Sequence, residues 1–125
     1  MAIPKQYLPI MPYLILDEAS SFLEFAKATF GAEEQLVVPA QDGSIMHGEI
    51  RIGEAVVMFA QSGETWKEKT AAMFLYVDSV ELVYKAALLQ GAVSLEEPQQ
   101  KDYGYAAGIM DPFGNQWFVV QQEQL

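Results

Sequence analysis

The chain has 125 residues, 51% of them hydrophobic, which is enough for one packed domain and leaves no room for two large ones. Seventeen Asp and Glu residues against seven Lys and Arg residues give a formal net charge of −10, which disfavours nucleic acid and anionic membrane surfaces as partners. The sequence contains no cysteine, so disulfides, thiolate nucleophiles and cysteine-based metal sites are excluded. Its single histidine, His47, excludes mechanisms that need two histidines from one chain.

An apolar stretch at residues 8–16 is the segment that could be mistaken for a targeting or membrane sequence. It is too short to span a bilayer, and Pro9 and Pro12 interrupt it. It also lacks a basic n-region and a small-residue cleavage site. The sequence therefore predicts a cytoplasmic location.

The first half of the chain predicts a strand, a helix and a hairpin. The apolar run Tyr13–Leu16 leads into a helix that begins after Asp17, as N-cap, and ends at Gly31. Alternation predicts a strand at Ser44–Ile52, which a two-residue turn joins to the apolar run Ala55–Ala60. The apolar face of the helix consists of Ala19, Phe22, Leu23, Ala26 and Phe30.

The second half predicts the same order of elements. The run Phe74–Val77 leads into a helix that begins at Asp78, with Glu81 completing a capping box, and ends at Gly91. A hairpin follows, with strands at Ala106–Met110 and Gln116–Val120 around a type I turn. The apolar stripe of this helix consists of Val80, Val83, Tyr84 and Ala87.

Matching landmarks indicate that the two halves are copies of one unit. Asp17 and Asp78 lie 61 positions apart, and so do Gly53 and Gly114. Two copies at this period predict a duplicated βαβββ unit in an α+β fold rather than a solenoid. The expected organisation is a single domain, 1–125, with repeat one at about 7–62 and repeat two at about 71–125.

His47 is the most informative polar residue, because strand alternation places it on the same side as Glu49 and Arg51. One interpretation makes His47 and Glu49 a general acid/base pair, or polar anchors for a ligand. The other makes them structural, with His47 hydrogen-bonded in the sheet and Glu49 paired with Arg51 or a cross-strand neighbour. The opposite side of the strand is apolar and is expected to pack on the helices through Met46, Ile50 and Ile52.

Four short motifs occur in order along the chain. They are Met11-Pro12-Tyr13-Leu14, Phe30-Gly31-Ala32-Glu33-Glu34, Ile45-Met46-His47-Gly48-Glu49 and Asp111-Pro112-Phe113-Gly114-Asn115-Gln116-Trp117. With these motifs the chain resembles the glyoxalase/bleomycin resistance/extradiol dioxygenase superfamily (vicinal oxygen chelate fold), in its PhnB-like branch, from about Tyr7 to Gln121. The resemblance implies two βαβββ repeats that form a cupped mixed sheet with the helices on the outer face, assembled as a homodimer.

Metal-using members of that superfamily hold four ligands in the cup. The corresponding positions here are about Met11, Val57, Ala72 and Phe118, and these residue types do not suit a hard or borderline divalent cation. The resemblance therefore implies no metal or other cofactor, although His47 and Glu49 would supply half a coordination sphere that a second subunit could complete. Many of the resembling proteins also carry an Arg at the position of Ala106 and a His at that of Asn115.

Aromatic residues form the second candidate site. If Met11 and Ala72 face the cup, alternation brings aromatic side chains there too, and these would suit a flat or cationic ligand. Ordinary core packing is the alternative for these aromatic residues. Trp66, in the link between the repeats, is expected at a dimer contact or as a lip over the cup. The candidate ligand-binding residues are Tyr13, His47, Glu49, Val57, Phe59, Phe74, Tyr76 and Phe118.

The leading hypothesis is a metal-independent small-molecule binding protein of the bleomycin-resistance type, with an aromatic or cationic organic ligand in the cup. The alternative is a glyoxalase-type lyase or isomerase, with His47 and Glu49 as acid/base residues or partial metal ligands. A third possibility is a structural or interaction module that binds no small molecule.

Overall fold

A computed structural model describes residues 2–122 of the chain. The chain divides into two compact units, Met1–Thr70 and Ala71–Leu125, and each is a four-stranded mixed sheet with one helix. The predicted α+β class with two βαβββ modules is confirmed. The single domain stays a prediction. Among the helices within residues 2–122, none is long and apolar enough to cross a membrane.

The first unit is built from β1 (Tyr13–Leu16), α1 (Ala19–Phe30), β2 (Glu33–Pro39), β3 (Ile45–Ile52) and β4 (Ala55–Gln61). Its strands lie in the order β1-β4-β3-β2. The β1–β4 pair is parallel, and the other two pairs are antiparallel.

The second unit repeats this arrangement with β5 (Ala72–Tyr76), α2 (Val80–Leu89), β6 (Val93–Lys101), β7 (Gly104–Met110) and β8 (Gln116–Gln121). Its strand order is β5-β8-β7-β6, again with one parallel pair between the first and last strands of the unit. The predicted helices and hairpins therefore lie where the sequence pattern puts them, with shifts of one or two residues at their ends.

The helix N-termini differ in detail from the prediction. Glu18, not Asp17, is the N-cap residue of α1, and its side chain makes no capping hydrogen bond. The Ala19 N–H donates instead to Gln61 Oε1 at 3.1 Å, while Asp17 Oδ1 accepts a hydrogen bond from Ser62 Oγ. A glutamine at the end of the last strand has therefore taken over the capping that was predicted for Asp17.

The second helix is capped in the same way. Its N-cap is Ser79 rather than Asp78, and Ser79 Oγ accepts from the Leu82 N–H. The Val80 N–H donates to Gln121 Oε1 at 2.7 Å. Gln121 thus plays in the second unit the part that Gln61 plays in the first.

The two capping glutamines correct the alignment of the repeats. Gln61 and Gln121 are 60 positions apart, whereas Gly53 and Gly114 are 61 apart. The glycines are not equivalent, because β3 and β4 are joined by a two-residue turn and β7 and β8 by the five residues 111–115. On the last strands Met58, not Val57, therefore corresponds to Phe118. A shift of one residue in a strand moves a side chain to the opposite face of the sheet.

One face of the first sheet packs against α1. Phe59 is fully buried there, with its ring centroid 5.2 Å from that of Phe22 on the helix. Val57 and Gln61 share this face by alternation, and Gln61 reaches the first turn of α1. Burying these side chains against the helix is the main stabilising contribution of the first core.

Three positions predicted for the sheet faces are therefore corrected. Val57 and Phe59 were expected to line the cup, but they lie on the face that packs on α1 and belong to the core. Met46 was expected to pack on a helix, but 58% of it is exposed. Ile50, from the same predicted set, is fully buried as expected.

The turn between β7 and β8 is organised by a buried carboxylate. Asp111 Oδ1 accepts from the backbone N–H groups of Phe113 and Asn115, both at 2.9 Å. Its Oδ2 accepts from Asn115 Nδ2 and from Trp117 Nε1, also at 2.9 Å. This segment of the sequence motif therefore fixes a turn, and Asn115 is fully buried in it.

Candidate functional site

The face of the first sheet that points away from α1 carries the polar residues predicted for a ligand site. The register places Tyr13 beside Met58 and Met58 beside Glu49, across three neighbouring strands. His47 is two residues before Glu49 on β3 and shares its face. The structure therefore brings together Tyr13, His47 and Glu49, as the sequence predicted for one side of the sheet.

Glu49 lies at the centre of the hydrogen bonds on this face. Its side chain is only 2% exposed, and its carboxylate accepts from three different side chains. Tyr7 Oη donates at 2.9 Å to Oε2 and 3.0 Å to Oε1, and Gln35 Nε2 donates at 2.9 Å to Oε1. His47 Nε2 lies 2.8 Å from Oε2. The buried charge is thus surrounded by donors, which is the condition for keeping it ionised.

The balance of burial and hydrogen bonding sets the charge of this group. Burial raises the pKa of Glu49. The hydrogen bonds from Gln35, His47 and Tyr7 together lower it by more than burial raises it, so the pKa of Glu49 lies below the ordinary value of 4.5. The carboxylate in turn raises the pKa of the Tyr7 phenol, chiefly through their hydrogen bond. Glu49 is therefore a carboxylate and Tyr7 a neutral phenol at neutral pH.

His47 links this carboxylate to Tyr13. Its Nε2 faces Glu49, and its Nδ1 lies 3.0 Å from Tyr13 Oη in a hydrogen bond exposed to solvent. The two rings are also close, with centroids 5.5 Å apart. We call this series of hydrogen bonds the Tyr13–His47–Glu49 chain. It leads from a buried charge to an accessible phenol oxygen.

Arg51 lies next to this chain and interacts with a neighbour of Glu49. Its Nη2 donates to Gln35 Oε1 at 2.9 Å and to the Gln6 carbonyl at 3.2 Å. Glu49 therefore has a cross-strand partner, Gln35 on β2. Arg51 does not pair with Glu49 directly but is linked to it through Gln35.

A cavity of about 640 Å³ opens beside the phenol of Tyr13 in the first unit. Trp66 forms part of its wall and is 70% exposed, so its indole is available to a bound molecule. Asp42 supplies a carboxylate, whose pKa is lowered by hydrogen bonds from the Ser44 hydroxyl and backbone N–H. The lining residues are Tyr13, Ile15, Ala40, Asp42, Ser44, Ile45, Met46, Ala60, Gln61, Ser62 and Trp66.

The aromatic candidates of the second half lie in the second unit. The β5–β8 register pairs Phe74 with Phe118 and Tyr76 with Val120, which places all four on one face of that sheet. Phe74, Tyr76 and Phe118 are exposed, and the Phe74 and Tyr76 rings are 5.5 Å apart in an edge-on arrangement. Tyr103 extends this group, at 6.1 Å from Phe74.

The site offers poor ligands for a divalent metal. Among residues 2–122, no group of three or more His, Asp or Glu side chains is placed to hold a metal ion. The carboxylate of Glu49 is engaged by three donors, and the last-strand positions that correspond to each other are Met58 and Phe118. These residues do not fit the four-ligand metal centre described above for metal-using members of the resembling superfamily.

Sequence reasoning missed two partners of Glu49 and much of the cavity. Tyr7 and Gln35 lie 42 and 14 residues from Glu49 along the chain, and their neighbouring residues show no pattern that would join them to it. The loop at residues 40–44, which supplies Asp42, was likewise not singled out. The one available signal was Trp66, an unexplained tryptophan in a polar link, which does line the cavity.

Comparison with known proteins shows distant similarity in sequence. No family model matches the chain. In sequence it is similar to an uncharacterized protein of Mycobacterium bovis, with 27% identity over 90% of this chain and 82% of that protein.

Three solved structures show the similarity of fold. A PhnB protein from Bacillus cereus aligns with a TM-score of 0.74 and 13% identity, over 91% of this chain and 99% of that one. A glyoxalase/bleomycin resistance protein/dioxygenase family enzyme from Burkholderia phytofirmans PsJN gives 0.71 and 16%, over 89% and 95%. TnmS3, an antibiotic binding protein from Streptomyces sp. CB03234, gives 0.69 and 16%, over 94% and 100%.

The chain therefore has the glyoxalase/bleomycin-resistance fold, and the resemblance seen in the sequence, including its PhnB-like character, is confirmed at the level of the fold. Because this fold hosts both enzymes and binding proteins, it does not choose between them.

Proposed function

We propose that this protein binds a small organic molecule, aromatic or cationic in character, in the cavity beside Tyr13 and Trp66, without a metal. The cavity carries the proposal, because its volume of about 640 Å³ lies within the range of about 300–1,000 Å³ typical of ligand sites. Its wall combines apolar side chains with a few polar groups, which is the usual composition of such sites.

The kind of ligand follows from the side chains that line the cavity. Trp66 and Tyr13 offer aromatic faces for stacking and cation–π contact. Asp42 adds a carboxylate in a chain of net charge −10, which favours a cation over an anion. The similarity of fold to TnmS3, an antibiotic binding protein, supports ligand binding as the type of function.

In this proposal His47 and Glu49 act behind the ligand rather than on it. Glu49 is buried, so it orients His47, and His47 in turn orients the phenol of Tyr13. Tyr13 is the polar anchor that contacts the ligand. The aromatic face of the second unit, with Phe74, Tyr76 and Phe118, remains a proposed contact surface for an organic ligand.

The test is a binding screen with a library of aromatic amines, read by tryptophan fluorescence and by calorimetry. A saturable ligand of the wild type should lose about tenfold or more in affinity in Trp66→Ala, because the largest aromatic contact is removed. Leu89→Ala, an exposed residue on α2, is the matched control and should bind as the wild type does. Equal affinity in Trp66→Ala would place the ligand elsewhere and refute the proposal.

A second candidate is a glyoxalase-type lyase or isomerase with His47 and Glu49 as its acid/base pair. One observation favours it: the imidazole lies between an ionised carboxylate and an accessible phenol, an arrangement suited to moving a proton. Any ligand found in the screen can be incubated in D₂O and followed by NMR. Exchange of a carbon-bound proton that disappears in His47→Gln would support the enzyme, and unchanged ligand would leave the binding protein as the proposal.

The predicted homodimer and cytoplasmic location belong to the same proposal. Light scattering of the purified protein measures the mass directly. A mass of 13.9 kDa, that of one chain, would remove the dimer from the proposal.

A further inference from the structure

When the His47 imidazole is neutral, the charge of Glu49 fixes the direction of each hydrogen bond in the Tyr13–His47–Glu49 chain. Glu49 is ionised, so it only accepts, and the Nε2 of His47 must carry a hydrogen. In a neutral imidazole the other nitrogen, Nδ1, is then an acceptor. Tyr13 must therefore donate its single hydroxyl proton to His47. The exposed phenol oxygen of this cavity-lining residue is left with lone pairs only, so it can only accept a further hydrogen bond.

The serine hydroxyls of the cavity wall donate to carboxylates inside the protein. Ser44 Oγ donates to Asp42 Oδ1 at 2.6 Å, and Ser62 Oγ donates to Asp17 Oδ1 at 2.6 Å. The Gln61 amide donates one of its two N–H groups to the backbone carbonyl of Asp17. The carboxylate of Asp42 is an acceptor. Apart from the Trp66 indole N–H and the second N–H of Gln61, the polar side chains around the cavity therefore present acceptors to a ligand.

We infer that the cavity selects ligands that donate hydrogen bonds, namely primary ammonium or amidinium groups attached to an apolar body, and that Tyr13 is the residue that makes this selection. The inference rests on the proposed binding function and specifies its ligand class. It differs from attraction by charge alone, because a quaternary ammonium group has the same charge but no N–H to donate.

Protonation of His47 reverses the direction of its hydrogen bond with Tyr13. With both ring nitrogens protonated, Nδ1 donates to Tyr13 Oη, and the phenol proton becomes available to another acceptor. The imidazole faces Glu49 on its own strand and Tyr13 on β1, while its neighbour on β2, Val38, is apolar. The selection for donors therefore weakens as His47 takes up a proton. The other titratable groups nearby contact Glu49 or Gln35 rather than the imidazole: Tyr7 and Arg51.

NMR can test the hydrogen-bond directions without any ligand. Because His47 is the only histidine, its two ring nitrogens give unambiguous ¹⁵N signals. We expect the neutral ring to carry its proton on Nε2 and to show an unprotonated Nδ1. A proton on Nδ1 in the neutral ring would overturn the inference, since Tyr13 would then be free to donate to a ligand.

Binding of two matched probes tests the selection itself. Benzylamine and benzyltrimethylammonium share an aromatic ring and a positive charge, but only benzylamine donates hydrogen bonds. The quantity measured is the affinity for benzylamine divided by the affinity for benzyltrimethylammonium. With His47 neutral, we expect this ratio for the wild type to exceed the ratio for Tyr13→Phe by about tenfold. Tyr84→Phe, which removes a hydroxyl on α2 of the second unit that donates to Ser94 Oγ, is the control and should keep the wild-type ratio. Protonation of His47 should move the wild-type ratio towards that of Tyr13→Phe.

The outcomes separate this inference from the proposed function. If both probes bind and Trp66→Ala weakens both, but Tyr13→Phe leaves the ratio unchanged, the cavity function stands and the selection by Tyr13 is refuted. A wild-type ratio that does not respond to protonation of His47 refutes it as well. If neither probe binds at any concentration reached, both the proposed function and the inference fail.

Discussion

Replacing Glu49 with Gln tests whether the buried carboxylate stabilises the first unit. The change keeps the size of the side chain but turns one carboxylate oxygen into an amide NH₂. In the wild type, Oε2 accepts from His47, Oε1 accepts from Gln35, and the Tyr7 hydroxyl lies within hydrogen-bond distance of both oxygens. An NH₂ at the position of Oε2 would face the His47 donor, so that charge-assisted hydrogen bond is expected to be lost. The hydrogen bonds from Tyr7 and Gln35 would fall on the remaining oxygen, which carries no charge.

The size of the effect follows from these contacts. A hydrogen bond to a charged group contributes about 1.5–3 kcal/mol and a neutral one about 0.5–1.5 kcal/mol, so losing one bond and neutralising the acceptor of two others costs roughly 3 kcal/mol. Part of the loss is recovered, because the variant no longer buries a charge and because His47 and Tyr7 are half-buried and can reach water. We expect Glu49→Gln to lower the free energy of unfolding by about 2 kcal/mol. For a chain of this length that corresponds to a fall in Tm of about 8 °C.

The assay is thermal unfolding followed by circular dichroism, with Glu64→Gln as a control that makes the same chemical change at an exposed position. Folding lowers the pKa of Glu49 below its ordinary value of 4.5. The stabilisation is therefore fully present above that value and is lost as the pH falls through the lowered pKa. The difference in Tm between wild type and Glu49→Gln should shrink on acidification. A Tm for Glu49→Gln equal to that of the wild type at pH 7 would refute the reasoning.

Two further predictions concern the cores of the two units. Gly48→Ala should destabilise by about 1–3 kcal/mol, because its Cβ would lie 2.5 Å from the ring of Phe59; Gly63→Ala, with open space around it, should not. Urea unfolding measures both variants, and equal midpoints would contradict the packing argument. Asp111→Asn should cost roughly 2–3 kcal/mol, because the new NH₂ would face two buried donors at the position of Oδ2, whereas the exposed Asp102→Asn should be neutral. Retention of the wild-type unfolding midpoint in Asp111→Asn would show that the turn does not depend on this carboxylate.

Much of the local structure was predictable, because it depends on signals that are close together in the sequence. Gly31 ends α1 in the left-handed conformation, with φ of 66°, as a glycine at the end of an amphipathic run predicts. The alternation on β3 placed His47 and Glu49 on one side of the sheet, and they lie 2.8 Å apart there. These predictions needed only the periods of strand and helix.

The errors arose where an alignment had to be carried across a turn. The sheet faces of Val57 and Phe59 were predicted from their spacing to Gly53. Because a strand has a period of two, an alignment error of one residue assigned both side chains to the wrong face of the sheet. The capping glutamine Gln61, which donates and accepts at the start of α1, fixes the correct face. That contact spans more than 40 residues and could not be read from local patterns.

The sequence by itself therefore determined the duplicated βαβββ order, the absence of cysteine chemistry and the shared face of the one histidine with its glutamate. Only the tertiary structure decided what surrounds that pair. Tyr7, Gln35 and Tyr13 come from three separate segments and meet the pair through hydrogen bonds between residues 14 to 42 positions apart. Such contacts depend on how strands are ordered in the sheet, and composition and periodicity carry no information about that order. The cavity beside Trp66 has the same origin.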